Sequence, residues 1–530
     1  MPDIMPEMRQ APVKLRLPRT RPFSKFKANP AISRSRPDHK NLGLTRIGDK
    51  NRMSAAIDFL NTIFWGYILI YGLLAVGVFF TLYLGLIQFR HIGHYFSSIF
   101  NARAADRAGI SPFQALCTSL ASRVGTGNLA GVAIAIYLGG PGAIFWMWVV
   151  ALVGMATAYA ESLLAQLYKV RDAQGQYRGG PAYYISLGLG QHWLGVVFAL
   201  CLLLTFGLVF NAVQANSISE AMYGAFGLPP MISSIGLAVL TAIIIFGGLR
   251  SIARFAEVVV PFMAAIYLLV AIYVLVTHIG QVPDMLMLIL RSAFGLEQAV
   301  GGAVGYGVGQ AMLNGIKRGL FSNEAGMGSA PNIAATATPQ PHHPASQGFV
   351  QGLGPFIDTI MICTATAVMI LLSGAFQPDS GVTGVKLTQM AMESYMGPAG
   401  SIFIAVAIFF FAFTSIIGNY SYAENSIFFL KLDRSGGLTA LRVACLGMVM
   451  WGAISKLDIV WNLADASMGM MATVNLIGIV ALSGVVKKLT VDYLQQIREG
   501  KQPTFNPDQH PDIVRGIDRE IWLPQQAAIA

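Results

Sequence analysis

Apolar residues run through most of this chain in blocks with little sustained charge, many of them the roughly 18 or more residues that a helix needs to cross ~30 Å of hydrocarbon. The blocks predict eleven spans: 57–88, 111–139, 141–168, 193–223, 230–247, 255–278, 293–315, 348–374, 399–430, 437–454 and 462–486. A count of ten competes, with Gly139-Gly140-Pro141-Gly142 as a kink instead of a turn. Length favours the turn, since 111–168 as one helix would measure about 87 Å. The runs also lack the in-out alternation of a membrane β-barrel. The fold class expected is an all-α integral membrane protein.

One stretch interrupts the pattern. SLASRVGTGNLAG, residues 119–131, puts glycines, hydroxyls and an asparagine inside the second span. Unwound backbone at membrane depth persists only against protein or a polar cavity. Its free carbonyls are cation ligands, and free amides at the start of a resumed helix suit a carboxylate. Val124-Gly125-Thr126-Gly127-Asn128 therefore has the composition of a site for a small zwitterion and a cation. The alternative is a close helix crossing, for which Gly127 and Gly131 have the small-xxx-small spacing.

A second glycine-rich stretch, GGAVGYGVGQAMLNGIKRG at 301–319, lies in the seventh span. Each stretch heads a block of five spans, 111–278 and 293–486. Five is odd, so the two blocks insert with opposite topology, and paired interrupted helices point to an inverted-repeat (5+5) transporter with its site at the repeat interface. Span 57–88 is then one extra N-terminal helix.

Composition agrees with a membrane protein. Of 530 residues 54% are apolar and 12% charged, and the mean hydropathy is +0.57. With the N-terminus outside, inner loops collect thirteen basic residues, from Arg90 through Lys317 and Arg318 to Arg442, against Arg291, Lys386 and Lys456 outside. The positive-inside rule thus favours N-out and C-in. Residues 1–56 oppose it with thirteen Lys/Arg against four Asp/Glu; this tail reads as disordered, and translation from Met53 would remove the conflict. Residues 487–530 read as a short, charge-balanced cytoplasmic tail.

Enzymatic classes find little support. There is no HExxH or GxSxG, no nucleotide-binding loop, and no filter repeat of a channel. Cys117, Cys201, Cys363 and Cys445 lie in apolar spans and read as buried hydrophobes. His342-His343, in TPQPHHPAS, reads as an exposed turn. No catalytic residue, cofactor or nucleic-acid partner is expected, and any transport is expected to be driven by an ion gradient.

RVGTGNLAGVAIAIYLGGPGAIFWMW at 123–148, YRGGPAYYI at 177–185 and NGIKRGLFSNEAGMGSAP at 314–331, with lesser blocks at GNYSYAEN (418–425), Trp461 and Asn475, resemble the alanine or glycine:cation symporter family over about 57–490. The resemblance implies sodium-coupled carriage of alanine or glycine across the bacterial cytoplasmic membrane; composition gives no oligomeric state, and a monomer and a weak homodimer both fit. It implies a cation held by carbonyls of Ala121, Val124 and Phe411 and by the hydroxyls of Thr414 and Ser415. Those hydroxyls would otherwise bond back to their own helix. The substrate is expected on Gly125, Thr126 and Gly127, with Asn128 fixing the break, Gln214 reaching the amino acid and Tyr306 closing the pocket.

Charges at membrane depth need partners. Glu161 is expected in a structural or gating ion pair or as a proton site. Arg123 is assigned to the inner vestibule, Asp358 to a pair with a basic loop residue, and Glu324 to ordering its loop at the inner gate. Glu161 and Asp358 are titratable, so proton-coupled symport of a small neutral amino acid is the competing reading.

Overall fold

The computed structural model describes residues 44–100, 104–296, 303–378 and 380–523. Most of the basic tail, together with Gly301 and Gly302, lies outside these residues; helical backbone begins with Leu44–Ile63, inside the stretch read as disordered. Among the described residues eight helices are long and apolar enough to cross a membrane: Ser54–Tyr83, Gly142–Leu167, His192–Phe226, Gly248–Thr277, Pro344–Leu372, Pro398–Phe429, Gly437–Ile454 and Leu457–Ala481. Two shorter apolar helices are Gly127–Gly139 and Pro230–Ile245.

Local chemistry sets the ends. Pro112, Pro230, Pro344 and Pro398 open helices at the first turn, where their missing N–H costs nothing. Ser111 and Gln114 add a reciprocal capping box, each bond 3.1 Å. Helix Gly127–Gly139 stops where Gly140 turns to φ 70°, and the next helix starts at Gly142. The glycine-proline stretch is therefore a turn. A Cβ on Gly142 would stand 2.3 Å from the Ala293 nitrogen, so the turn is packed shut.

Helix Gly248–Thr277 exposes Val258, Phe262, Leu269, Tyr273 and Val276, spaced so that they share one side. The protein's buried polar side chains, among them Asn128, Gln214 and Asp358, lie within a larger apolar core. Helices 142–167, 303–323 and 344–372 pack together, and 192–226 packs on 398–429 and 437–454.

Three expectations are corrected. The seventh span is not interrupted within 303–319: Ala303–Asn323 is one helix of 21 residues. Its glycines serve close crossing. A Cβ on Gly315 would lie 2.3 Å from the Ala143 carbonyl, and one on Gly319 2.5 Å from Val150 Cγ1. The chain unwinds later, at 324–330, where Glu324 (φ 59°), Gly326 (φ 91°) and Gly328 (φ 83°) take left-handed backbone. Second, Lys317 and Arg318 belong to this helix and not to a loop. Asp465 pairs with both, at 3.1 and 2.6 Å.

Third, His343 is wholly buried. Its Nδ1 accepts from Ala345 N–H at 3.0 Å, capping helix Pro344–Gly352, and its Nε2 meets Asp492 at 3.0 Å. Asp492 lies on helix Ser483–Arg498, within the segment read as a tail. That segment is packed: Tyr493 and Trp522 are buried, Trp522 Nε1 donates to the Leu167 carbonyl at 3.3 Å, and Phe505 N–H donates to the His342 carbonyl at 2.9 Å.

Candidate functional site

Helix Pro112–Arg123 ends at Val124 (ψ 83°) and regular turns resume after Gly125, passing through a wide turn at Gly127–Gly131. Asn128 fixes this break from both sides. Its Oδ1 accepts Gly125 N–H at 2.8 Å, and its Nδ2 donates to Asp358 Oδ1 at 2.7 Å and to the Asp358 carbonyl at 3.1 Å. Thr126 N–H donates to Gln214 Oε1 at 2.9 Å, so the amide expected to meet a carboxylate meets a carboxamide oxygen. Gln214 therefore reaches the break from helix 192–226.

Helix 398–429 delivers oxygen to the same point. Ser415 Oγ donates to the Ala121 carbonyl at 2.9 Å and approaches the Phe411 carbonyl at 3.0 Å, while Thr414 Oγ1 bonds the Phe411 carbonyl at 2.9 Å. Val124, the first residue of the break, is wholly buried. Each hydroxyl bonds back to its own helix, and Ser415 also bonds across to the broken one. This donor set is uncharged oxygen, suited to a hard monovalent ion. Among the described residues no cluster of His, Cys, Asp and Glu could hold a metal.

The break is tight. A Cβ on Gly125 would lie 2.2 Å from Ser415 Oγ and 2.8 Å from Gln214 Oε1. A Cβ on Gly127 would meet Phe321 Cδ1 at 3.0 Å. Phe321 packs between Phe210 and Trp461, its ring tilted to both, with centroids 4.5 and 4.6 Å away. Tyr306 has backbone within helix Ala303–Asn323, and its side chain lies outside the described residues. Phe321 was missed because the sequence reading ended that span at 315.

The carboxylates bind the two breaks with neutral partners. Asp358 accepts from Ser322 at 2.6 Å and Thr359 at 2.8 Å as well as from Asn128, instead of pairing with a loop cation. Glu161 accepts from Asn475 Nδ2, which also donates to the Gly326 carbonyl at 3.0 Å, and Tyr184 OH donates to Asn475 Oδ1. Among the described residues neither carboxylate has an ion pair, which corrects that expectation for both. Glu324 accepts from Ser329 at 2.5 Å and lies 2.7 Å from Ser122 Oγ, which also lies 2.7 Å from Asn419 Oδ1. It thus joins the second break to the first. Arg123 is buried against helix 344–372, with Nη1 3.5 Å from the Gln351 carbonyl.

One buried ion pairing, Asp465 with Lys317 and Arg318, was not read from the sequence. Its signal was present: two cations and one carboxylate at membrane depth each needed a counter-charge. Arg318 also lies over the Trp461 ring, at 4.4 Å.

The chain is similar to known proteins to different degrees. The probable sodium/glutamine symporter GlnT of Bacillus subtilis is 46% identical over 85% of this chain and 93% of its own length. The sodium/alanine symporter AgcS of Methanococcus maripaludis is 40% identical over 81% of this chain and 95% of its own. The crystal structure of MhsT in complex with L-phenylalanine shares the fold at 17% identity, with a TM-score of 0.52 over 74% of this chain and 95% of that one. The model of the sodium:alanine symporter family matches residues 50–507. This multi-pass transporter with a doubly broken helical core belongs to the sodium:alanine symporter family.

Proposed function

We propose that the protein carries a small neutral amino acid, alanine or glycine, together with sodium across a cell membrane by alternating access. The single observation that carries this reading is the Ser415 hydroxyl on the Ala121 carbonyl at the edge of the helix break. We assign sodium to Ala121, Val124, Phe411, Thr414 and Ser415. The substrate carboxylate is assigned to the amides of Gly125, Thr126 and Gly127, with Gln214 released from Thr126 to accompany the amino acid and Tyr306 on its side-chain side. Segments 111–278 and 293–486 act as two five-helix repeats of opposite topology behind one extra helix, 57–88. The N-terminus faces outward and the C-terminal segment 487–530 the cytoplasm of a bacterial cell; the working unit is a monomer or weak dimer.

Phe321 against Gly127 supports a short side chain. GlnT is named for glutamine, so size selection is tested directly by competing labelled alanine with glycine and glutamine. The decisive experiment is alanine uptake into proteoliposomes under separate sodium and proton gradients. Sodium alone is expected to drive accumulation, and full uptake on a proton gradient without sodium overturns the assignment. The second reading, proton coupling, draws on Glu161 and Asp358, buried carboxylates tied to the two breaks.

A further inference from the structure

Away from the breaks, the β-hairpin of Val170–Arg171 and Tyr177–Arg178, the start of helix His192–Phe226 and the end of helix Pro398–Phe429 wall a cavity of about 540 Å³. Its lining carries Arg171, Arg178, Lys431 and Arg434 against two carboxylates, Asp172 and Asp433. Arg178 is 4% exposed. Asp172 at 2.9 Å and Glu424 at 3.7 Å hold it, and its guanidinium lies 3.8 Å from the Phe428 ring centroid. Arg171, Lys431 and Arg434 form no ion pair among the described residues. Arg171, Lys431 and Arg434 thus outnumber Asp433, the lining carboxylate that has no ion pair among the described residues, and leave the walled space net positive.

A hydrocarbon-facing stripe begins beside it. His192 lines the cavity, and Trp193 (65% exposed), Val197, Leu200 and Leu204 follow at helical spacing on one exposed side. Trp193 donates its Nε1 to Gln191 Oε1 at 2.9 Å, an aromatic with one wet end, as found at headgroup depth. Cations at helix ends alone would reflect only the usual loop charge bias. They do not call for a cavity, a buried arginine in its wall and an adjoining apolar stripe.

We propose that this cavity binds the phosphate headgroup of an anionic phospholipid, with an acyl chain along the Trp193–Leu204 stripe. Occupancy has a path to the core. Arg178 pairs with Glu424, and the next residue, Asn425, donates to the Gly179 carbonyl and to Asn332 Oδ1 at 2.8 Å. Glu424 and Asn425 share the helix that carries Thr414 and Ser415, and Asn332 follows the second break. The bound headgroup braces the hairpin against that helix. The inference stands apart from the substrate and ion assignments, because its readouts are lipid binding and thermal stability.

The test titrates purified full-length protein in neutral detergent with phosphatidylglycerol, phosphatidylcholine or inorganic phosphate, following Tm and retained lipid by native mass spectrometry. Phosphatidylglycerol alone is expected to raise Tm and be retained. Arg171→Gln/Lys431→Gln/Arg434→Gln should weaken retention roughly a hundredfold, as three lost headgroup contacts imply, while Arg250→Gln/Arg254→Gln leaves it unchanged. Equal shifts with phosphatidylcholine, or unaltered retention in the triple variant, overturn the proposal. A full shift with inorganic phosphate overturns the lipid as its source. Should the triple variant misfold, brominated lipids decide with the unaltered chain. The fluorescence that Trp193→Phe removes is expected to be quenched by brominated phosphatidylglycerol, and equal quenching by brominated phosphatidylcholine overturns the site.

Discussion

Ser415 Oγ lies 2.9 Å from the Ala121 carbonyl, tying helix 398–429 to the last turn before the break across 294 positions of sequence. A hydroxyl so placed can rotate from donating to that carbonyl to coordinating an ion beside it.

Removing both hydroxyls with Thr414→Ala/Ser415→Ala is therefore predicted to abolish sodium-dependent uptake while the protein stays folded. Losing two oxygen ligands in a water-poor site should weaken sodium binding roughly a hundredfold, on the order of 3 kcal/mol. Ser421→Ala is the control, since among the described residues its hydroxyl bonds the Gly418 carbonyl of its own helix alone, at 2.6 Å. Direct sodium binding decides: near-normal affinity in the double variant removes the ion site from this position.

Gly125→Ala should damage both ligands. On sequence alone its methyl would disturb only the substrate cradle. The structure puts that methyl 2.2 Å from Ser415 Oγ and 2.8 Å from Gln214 Oε1, so sodium affinity and alanine uptake are expected to fall together. Sodium binding measured without amino acid tests this; unchanged binding beside lost uptake would restore the sequence expectation.

Asn475→Leu is predicted to destabilise the protein by about 2–4 kcal/mol, because it strips partners from Glu161, Tyr184 and the Gly326 carbonyl at once. Glu161→Gln keeps an acceptor for Asn475 and should cost under about 1 kcal/mol. Thermal unfolding in detergent ranks the two. If Glu161→Gln still accumulates alanine against a gradient, Glu161 is not an obligatory proton carrier.

Asp465→Asn leaves Lys317 and Arg318 without their carboxylate, and breaking such a buried pair typically costs about 3–5 kcal/mol. The expected outcome is a lower Tm, with Lys317→Gln milder than Arg318→Gln because Lys317 is the more exposed partner.

Acid should loosen the C-terminal segment. Burial holds the His343 pKa below 6.5, against the opposing pull of Asp492 and with the charge of His510 adding to the depression. Geometry agrees: Nδ1 already accepts from Ala345 N–H, so a proton there would face another donor, and the neutral ring donates from Nε2 to Asp492. The unfolded histidine takes up its proton first as pH falls. The stabilisation is thus complete above about 6.5 and declines below it until the folded ring also titrates. Hydrogen exchange of 483–523 at pH 7.5 and 5.5 measures this. In His343→Asn, which can still cap Ala345, the difference between the two pH values should shrink.

The sequence disclosed features whose cause is local. Gly139-Gly140-Pro141-Gly142 is a turn because nothing in it sustains a helix, and Val124-Gly125 breaks where an Asn at 128 can replace the lost backbone bonds. It misled where glycine had two meanings. Gly315 and Gly319 permit helix contact, whereas the second unwinding begins at Glu324, a residue whose left-handed backbone no composition rule announces. Tertiary partners were hidden for the same reason: the bonds of Asn475 to Glu161 and of Asn128 to Asp358 span hundreds of residues. The packed C-terminal segment escaped notice because Trp522 and Tyr493 are its few large anchors.

Gln214 already satisfies the Thr126 amide, which bears on kinetics as well as on affinity. On the proposed assignment a carboxylate arriving there gains only the difference between two hydrogen bonds, and the break exposes no bare donor at Thr126 between cycles. Exposed side chains reorient in picoseconds to nanoseconds, but Gln214 is buried and turns only as the packing around it gives way, in the microseconds to milliseconds of collective helix motion. Under the proposed assignment, the exchange at Thr126 is therefore tied to the collective movement of the helices around it, which also sets the turnover clock.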